Sequence, residues 1–158
     1  TAEPVVFVAS PAFWAQKYAE CEKNGTVKWS TKTVGQEEIS VRQITLDQIL
    51  QEPFFLTEKH ANYRQALDQH LASCRCCLSP VLEISDTAFI IQMLEQSRGL
   101  SFLPLFAVQK QIWEGTLAAV EVDDVEISMY RQIFYHKNKF RTREMEQFIT
   151  FASEEENH

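Results

Sequence analysis

The sequence predicts an α/β protein whose strands form a largely parallel sheet. Residues 5–9 read VVFVA, a continuous apolar run rich in β-branched side chains, and such a run is typical of a parallel strand buried on both faces. From residue 54 onward, short apolar segments alternate with segments of helical periodicity. This alternation indicates parallel strands joined by crossover helices. A length of 158 residues is enough for one sizeable core or for two small lobes.

The first 53 residues are predicted to contain few further regular elements. A short helix is expected over 13–22, and an irregular segment follows as far as Ser40, since Asn, Gly, Lys and Thr interrupt any apolar pattern there. Thr45 is suited to cap a short helix over 45–50, and Pro53 stands just beyond that helix, where proline commonly follows a helix end.

Three strand–helix pairs are predicted after residue 53. The strands are FFLT, VLEIS and LSFL, and the helices span about 62–73, 86–97 and 104–113. Apolar side chains recur at helical spacing in the first two helices, so these faces are expected to pack in the core. Further strands are predicted over 116–122 and 131–136, before a last amphipathic helix that carries Met145, Phe148, Ile149 and Ala152.

The segment 85–104, SDTAFIIQMLEQSRGLSFLP, is predicted to be one tight unit of helix, strand and helix. Gly99 suits the left-handed position just past a helix end, and Pro104 suits the first helical position, where its missing N–H costs nothing. Ser85 to Thr87 follow the carboxyl end of one strand, and Ser101 to Pro104 are placed at the corresponding end of the next. Ligands of open parallel sheets bind at that edge, so a binding site is predicted there.

Composition and charge exclude several classes of protein. The formal net charge of −7 argues against a nucleic-acid-binding surface, which needs clustered Lys and Arg, and the basic stretch 136–143 is interpreted as a solvated loop. No apolar run is long enough to span a membrane, and the first residues lack the basic and long apolar regions of a signal peptide. A cytoplasmic location is therefore favoured.

The segment CRCC, residues 74–77, holds three of the four cysteines. These three cysteines are too close together to form a framework of bridges with Cys21, so free thiols are expected. A small α/β thiol enzyme, with Cys76 or Cys77 as nucleophile and His60 or His70 as base, is one alternative function. Because no GxSxG elbow, P-loop or metal-ligand spacing is found, no catalytic residue, cofactor or metal site is predicted.

The order of these segments resembles the effector-binding domain of LysR-type transcriptional regulators. The likeness covers about residues 5–151, is close from Glu52 onward and is blurred between 13 and 40. Its most specific part is the helix, glycine, strand and Leu-Pro unit, followed by a helix and an EGTL strand. The segments that carry it are EPFFLTEKHANYRQALDQHL, VLEISDTAFIIQMLEQSRGLSFLP, LFAVQKQIWEGTLAAVEVDD and RQIFYHKNKFRTREMEQFITF.

The resemblance implies a two-lobed fold like that of type II periplasmic binding proteins, with a small effector in the cleft between the lobes. Residues 1–53 and 136–158 would form part of the first lobe, and 54–135 the complete second lobe. Domains of this family begin with roughly another 50 to 70 residues. DNA would be bound only through a winged helix-turn-helix domain that the 158 residues do not include. A transporter's solute-binding protein is a further alternative, which the missing export signal disfavours.

A homodimer is also expected, as the family forms. The strand 5–9 is predicted to be buried, yet the strands that should flank it are not found before it. Exposed apolar surface and unpaired strand edges would then favour self-association, with exchanged strands as one route.

The resemblance also implies which residues contact the effector. They are Thr57 and Glu58 after the first strand of the lobe, Ser85 and Thr87 after the second, and Ser101, Phe102 and Pro104 in the third. Helix amino-termini favour carboxylates and other anions, so a small anionic effector is expected. We expect the hydroxyls of Thr57, Ser85, Thr87 and Ser101 to line one cavity, with either Phe102 or Leu103 facing it, because strand side chains alternate.

Two of these assignments have a plainer alternative. Ser85, Asp86 and Thr87 are residue types that cap helices routinely, and Asp86 is assigned to the cap because it would repel an anion. Arg64 could be a counter-charge for the effector or could pair with Asp68 one turn later in a surface salt bridge.

Overall fold

The computed structural model describes residues 2–25, 28–34, 37–123, 125–130 and 142–154. The elements, in chain order, are β1 (Ala2–Ala9), α1 (Pro11–Lys23), β2 (Lys28–Val34), β3 (Glu37–Gln43), α2 (Leu46–Ile49), β4 (Phe55–Leu56), α3 (Asn62–Ser73), β5 (Leu82–Glu83), α4 (Thr87–Glu95), β6 (Leu100–Pro104), α5 (Leu105–Glu114), β7 (Ala118–Val120), β8 (Ile127–Tyr130) and α6 (Arg143–Glu154). The alternation predicted from residue 54 onward is confirmed, and so is the final helix.

Strand β1 lies at the centre of the main sheet. It pairs with β6 on one side, with Val5 opposite Pro104 and Ala9 opposite Leu100, and with β7 and β8 on the other. All three pairings are antiparallel, so the predicted parallel orientation of residues 5–9 is wrong. An apolar run indicates that a strand is buried on both faces. The direction of the strand relative to its neighbours depends instead on how the chain connects them.

The smaller strands have the parallel pairing that the sequence predicts. β4 and β5 pair in parallel, and Phe54 makes a parallel bridge to Leu100 at the start of β6. The carboxyl ends of β4, β5 and β6 therefore point the same way, as expected for strands joined by the crossover helices α3 and α4.

Two apolar clusters cover the two faces of the sheet. Phe7 and Phe102 belong to one cluster, where their ring centroids are 4.7 Å apart and where Leu67 and Leu71 of α3 also pack. Val8 and Leu103, the next residues along the two strands, belong to the other cluster together with side chains of α4 and α5. This alternation shows why β1 and β6 are apolar at consecutive positions: both faces of each strand are covered.

The end of α4 differs from its prediction. Ser97, with φ of 57°, has the left-handed conformation there, whereas Gly99 does not have a positive φ. Gly99 is instead packed against the backbone of Pro53, whose carbonyl accepts a hydrogen bond from Leu100 N at 3.0 Å. Pro104 ends β6 and precedes the first residue of α5, one position earlier than predicted.

The segment predicted to be irregular contains the antiparallel pair β2 and β3, so that prediction is wrong. Strand β8 was not predicted, and the strand expected at 131–136 lies outside the described residues, as does most of the basic stretch 136–143. In the sequence, Lys, Thr, Ser and Glu interrupt the few apolar residues of β2 and β3, so neither segment has the apolar run from which a buried strand is predicted. None of the described helices combines the length and the apolar character needed to cross a membrane.

Candidate functional site

The predicted site residues lie along the edge formed by the carboxyl ends of β4, β5 and β6. Thr57 follows β4 directly, Ser85 comes two residues after the end of β5, and Pro104 is the last residue of β6. Parallel pairing brings these three strand ends to one edge of the sheet. The three helices that follow these strands begin at the same edge.

Two of the predicted residues have buried hydroxyls. Thr57 is 5% exposed and Ser101 is fully buried, and neither hydroxyl oxygen has a hydrogen-bond partner among the described residues. A buried polar atom without a partner is rare in proteins and calls for an explanation such as a bound ligand or water. Thr57 stands at the end of β4, whereas Ser101 lies inside β6, opposite Val8 of β1.

The other residues differ in exposure. Glu58 and Ser85 are exposed and Thr87 is partly buried. Phe102 is 2% exposed and Leu103 is fully buried, and they pack in the two clusters on opposite faces of the sheet. Alternation of the two side chains is as predicted, but both of them enter a core, so the expectation that one of them faces a cavity is wrong.

The helix starts at this edge are capped unequally. The Asp86 carboxylate accepts a hydrogen bond from Phe89 N at 3.1 Å and caps α4, as predicted. Ala61 and Pro104 hold the same position before α3 and α5, and neither provides a side-chain cap. The first N–H groups of a helix lack partners within it and carry a partial positive charge, so α3 and α5 offer the more favourable starts for an anion.

Arg64 is buried beside Thr57. Its Nη1 donates to the Thr57 carbonyl oxygen at 2.8 Å and lies 3.0 Å from Glu83 Oε2, while Nε lies 3.1 Å from Asp68 Oδ1. Only 3% of the Arg64 side chain is exposed. The pairing with Asp68 that the sequence suggested is present, but it is not a surface salt bridge, and the link to Glu83 was not predicted. Two carboxylates already balance the guanidinium, which makes Arg64 a poor counter-charge for an effector.

A cavity of about 800 Å³ lies elsewhere, beside β1, β7 and β8. Strand residues such as Val5, Phe7 and Val120 line it, together with His70, Glu121 and Glu126. The seven predicted site residues all lie in the described part of the chain, and none of them lines this cavity. Sequence patterns did not indicate it, because its lining comes from the sides of strands, a turn and one residue of α3 rather than from a motif.

The cysteine that lies near His70 is Cys74, which is not one of the two cysteines predicted as a possible nucleophile. His70 Nε2 lies 3.8 Å from Cys74 Sγ, rather than beside Cys76 or Cys77, and the Cys76 thiol points at the Cys74 carbonyl oxygen. All four cysteines are free thiols. Within the described ranges, no group of three or more His, Cys, Asp or Glu is placed to hold a metal ion.

Comparison with known families decides the relationship. The model of the LysR substrate binding domain matches residues 38–157, which is well over half of the chain. The chain belongs to the LysR substrate-binding domain family. The LysR domain fold, a type II periplasmic-binding-protein-like fold, therefore applies to it, and the resemblance drawn from the sequence is confirmed.

Relatives of this LysR domain include both a sequence and solved structures. The HTH-type transcriptional activator CmpR of Synechocystis is 25% identical over 101 residues, covering 64% of this chain and 33% of CmpR. The regulatory domain of Synechocystis CcmR, solved with 2-PG, has a TM-score of 0.62 at 14% identity and matches 96% of this chain and 62% of that one. The effector-binding domain of QuiR, solved with shikimate, has a TM-score of 0.59 at 11% identity, with coverages of 96% and 60%. This LysR chain thus spans one third of CmpR and under two thirds of the two structures.

Proposed function

We propose that this chain senses a small anionic effector and so controls DNA binding by a LysR-type transcriptional regulator. The observation that carries the proposal is the buried Thr57 hydroxyl, which has no hydrogen-bond partner in the described part of the chain and stands five residues before the uncapped start of α3. A hydroxyl and helix N–H groups together are suited to a carboxylate or phosphate. The ligands of two structural neighbours, 2-PG on CcmR and shikimate on QuiR, are in line with a small-molecule site.

The proposed site keeps the seven residues that the resemblance implies, with different roles. Thr57, Ser85 and Thr87 are proposed to contact the effector, and Glu58 to border the site at its exposed side. The three residues in β6 are buried, so we propose that they support the site without contacting the effector; they are Ser101, Phe102 and Pro104. Catalysis is not part of this proposal.

The proposal also covers the rest of the protein. We propose that DNA is bound by a winged helix-turn-helix domain outside these residues, since the chain is acidic, and that the regulator is a cytoplasmic homodimer. Residues 54–135 are proposed to form one lobe and 136–158 part of the other. Because β1 shares a sheet with β6, and because Trp14 of α1 donates a hydrogen bond to Ala118 O, we assign residues 2–23 to the lobe of 54–135 and only the later residues up to 53 to the other. Closure of the lobes on the effector would then favour one arrangement of the DNA-binding domains.

Binding of named probes tests the site. We would titrate the chain with 2-PG, shikimate and sulfate, and follow backbone amide resonances. Shifts are expected at 57–62 and 85–89, and Thr57→Val or Ser85→Ala should weaken binding about tenfold or more, the usual cost of a lost hydrogen bond to a charged ligand. Ser79→Ala, at an exposed serine between α3 and β5, is the matched control. Shifts confined to other surfaces, or variants that bind like Ser79→Ala, would contradict the proposed site.

A further inference from the structure

Among the described residues the Arg64 guanidinium has three polar partners, which are Asp68, the Thr57 carbonyl and Glu83. Asp68 is on the same helix, one turn away, so that ion pair joins no separate elements. The contacts of Nη1 are different, because the Thr57 carbonyl follows the end of β4 and Glu83 is the last residue of β5. One nitrogen therefore connects both strand ends to the start of α3.

This connection matters because the strands themselves are short. β4 and β5 share two register pairs, Phe55 with Leu82 and Leu56 with Glu83. After these two pairs, one more backbone hydrogen bond joins the two segments: Ile84 N, just before Ser85, donates to Leu56 O at 3.0 Å. A buried guanidinium that donates a hydrogen bond to the Thr57 loop and forms an ion pair with Glu83 fixes the separation of the two loops more firmly than so short a ladder does.

We propose that Arg64 is a positioning residue for the effector site: its guanidinium sets the distance between the Thr57 loop and the Ser85 loop. This inference rests on the proposed function, because those two loops are the proposed contacts. Arg64 acts through the Thr57 backbone, which leaves the Thr57 hydroxyl available for the effector, and its charge is neutralised by Glu83 and Asp68. It is therefore required for the geometry of the site and not for attraction of the anion.

Amide hydrogen exchange on the 158-residue chain tests the positioning role without any ligand. The reporters are Ile84, whose amide binds Leu56 O, and Ala61, whose amide binds Glu58 O. In Arg64→Lys a single ammonium cannot reproduce the planar fork, so both amides should exchange about tenfold faster. The amide of Ile90, which binds Asp86 O in α4, should be unchanged, because a general loss of stability would accelerate all three.

Two further variants make the test specific. Glu83→Gln weakens only the link between Arg64 and β5, and it is a milder change than one at Arg64 itself. It should make the Ile84 amide exchange faster. Asp68→Asn weakens only the intrahelical pair and is the matched control, expected to leave Ile84 and Ala61 as in the wild type. Equal exchange in Arg64→Lys and wild type, acceleration of Ile90 to the same degree, or an equal effect of Asp68→Asn would overturn the positioning role.

A double-variant cycle links the role to binding of 2-PG and shikimate. If Arg64 acts by placing Thr57, Arg64→Lys should weaken binding about tenfold alone but add little to Thr57→Val. Losses that simply add would overturn the inference. Wild-type affinity in Thr57→Val would count against the proposed effector site instead, while the exchange experiment would still decide whether Arg64 holds the two loops.

Discussion

Replacing Gly99 with alanine is expected to destabilise the protein by about 2–3 kcal/mol, because the new methyl group has no room. A Cβ at this position would lie 2.2 Å from Pro53 O and 2.7 Å from Phe55 Cε2. Carbon and oxygen normally approach to about 3.3 Å, so the two segments would have to separate by about 1 Å. Pro53 O is a backbone atom that accepts a hydrogen bond from Leu100 N at 3.0 Å. A change of side-chain rotamer therefore cannot relieve its clash with the new Cβ.

The magnitude follows from what that separation disturbs. Loss of the Leu100–Pro53 hydrogen bond costs about 1 kcal/mol, and strained repacking around Phe54 and Phe55 costs about 1–3 kcal/mol. Alanine also restricts the unfolded chain more than glycine does, which stabilises the folded protein by less than about 1 kcal/mol. For a chain of this size the net loss of about 2–3 kcal/mol corresponds to a melting temperature lower by roughly 4–12 °C.

Urea unfolding of Gly99→Ala and Gly115→Ala would measure the difference. Gly115 has φ of 74° with nothing within 4 Å of its added Cβ, so alanine there should cost only the left-handed strain of about 1–2 kcal/mol. The two variants thus distinguish the cost of a steric clash at Gly99 from the cost of a left-handed backbone conformation at Gly115. A Gly99→Ala variant within about 1 kcal/mol of the wild type, or less destabilised than Gly115→Ala, would refute this reasoning.

Three further outcomes are expected. Arg75, exposed and left-handed with φ of 57°, should give a protein about 0.5–1 kcal/mol more stable when changed to glycine, as measured by urea unfolding. Trp14→Phe should destabilise the protein by about 2 kcal/mol in the same assay, because it removes the hydrogen bond that Nε1 of the buried Trp14 donates to Ala118 O at 2.8 Å. Iodoacetamide followed by peptide mass spectrometry should label Cys74 and Cys77 at least about tenfold faster than Cys21, since burial raises the pKa of the Cys21 thiol and only the thiolate reacts; equal labelling in the native state would contradict this.

The elements after residue 53 were predictable because several local signals agreed there. Helix α3 has the predicted bounds 62–73, and α4 has both its apolar stripe and its Asp86 cap. Consistent signals of this kind specify a local structure without help from distant contacts. The carboxyl edge followed from the same alternation, and it placed Thr57 and Ser85 at neighbouring strand ends.

The contacts that hold the site together were less predictable, because they depend on distant residues. Gly99 was assigned the left-handed position from its residue type, whereas its role is to let the backbone of Pro53 approach, 46 positions earlier in the chain. Ser97 adopts the left-handed conformation instead, and its hydroxyl lies 2.7 Å from that of Ser10. The link from Arg64 to Glu83 likewise has no signature in either local segment.

The position of β1 changes the argument about dimerisation. Its predicted lack of flanking strands was the reason to expect exchanged strands, but β1 is hydrogen-bonded to β6 along one side and to β7 and β8 along the other. A strand paired on both sides offers no edge to a second chain, so strand exchange at β1 would first have to break an existing ladder. Association through side chains has no such cost. On α5, Phe106 and Trp113 are two turns apart on one face and are 50% and 79% exposed, so a helix face is a better candidate for a homodimer contact than the β1 strand.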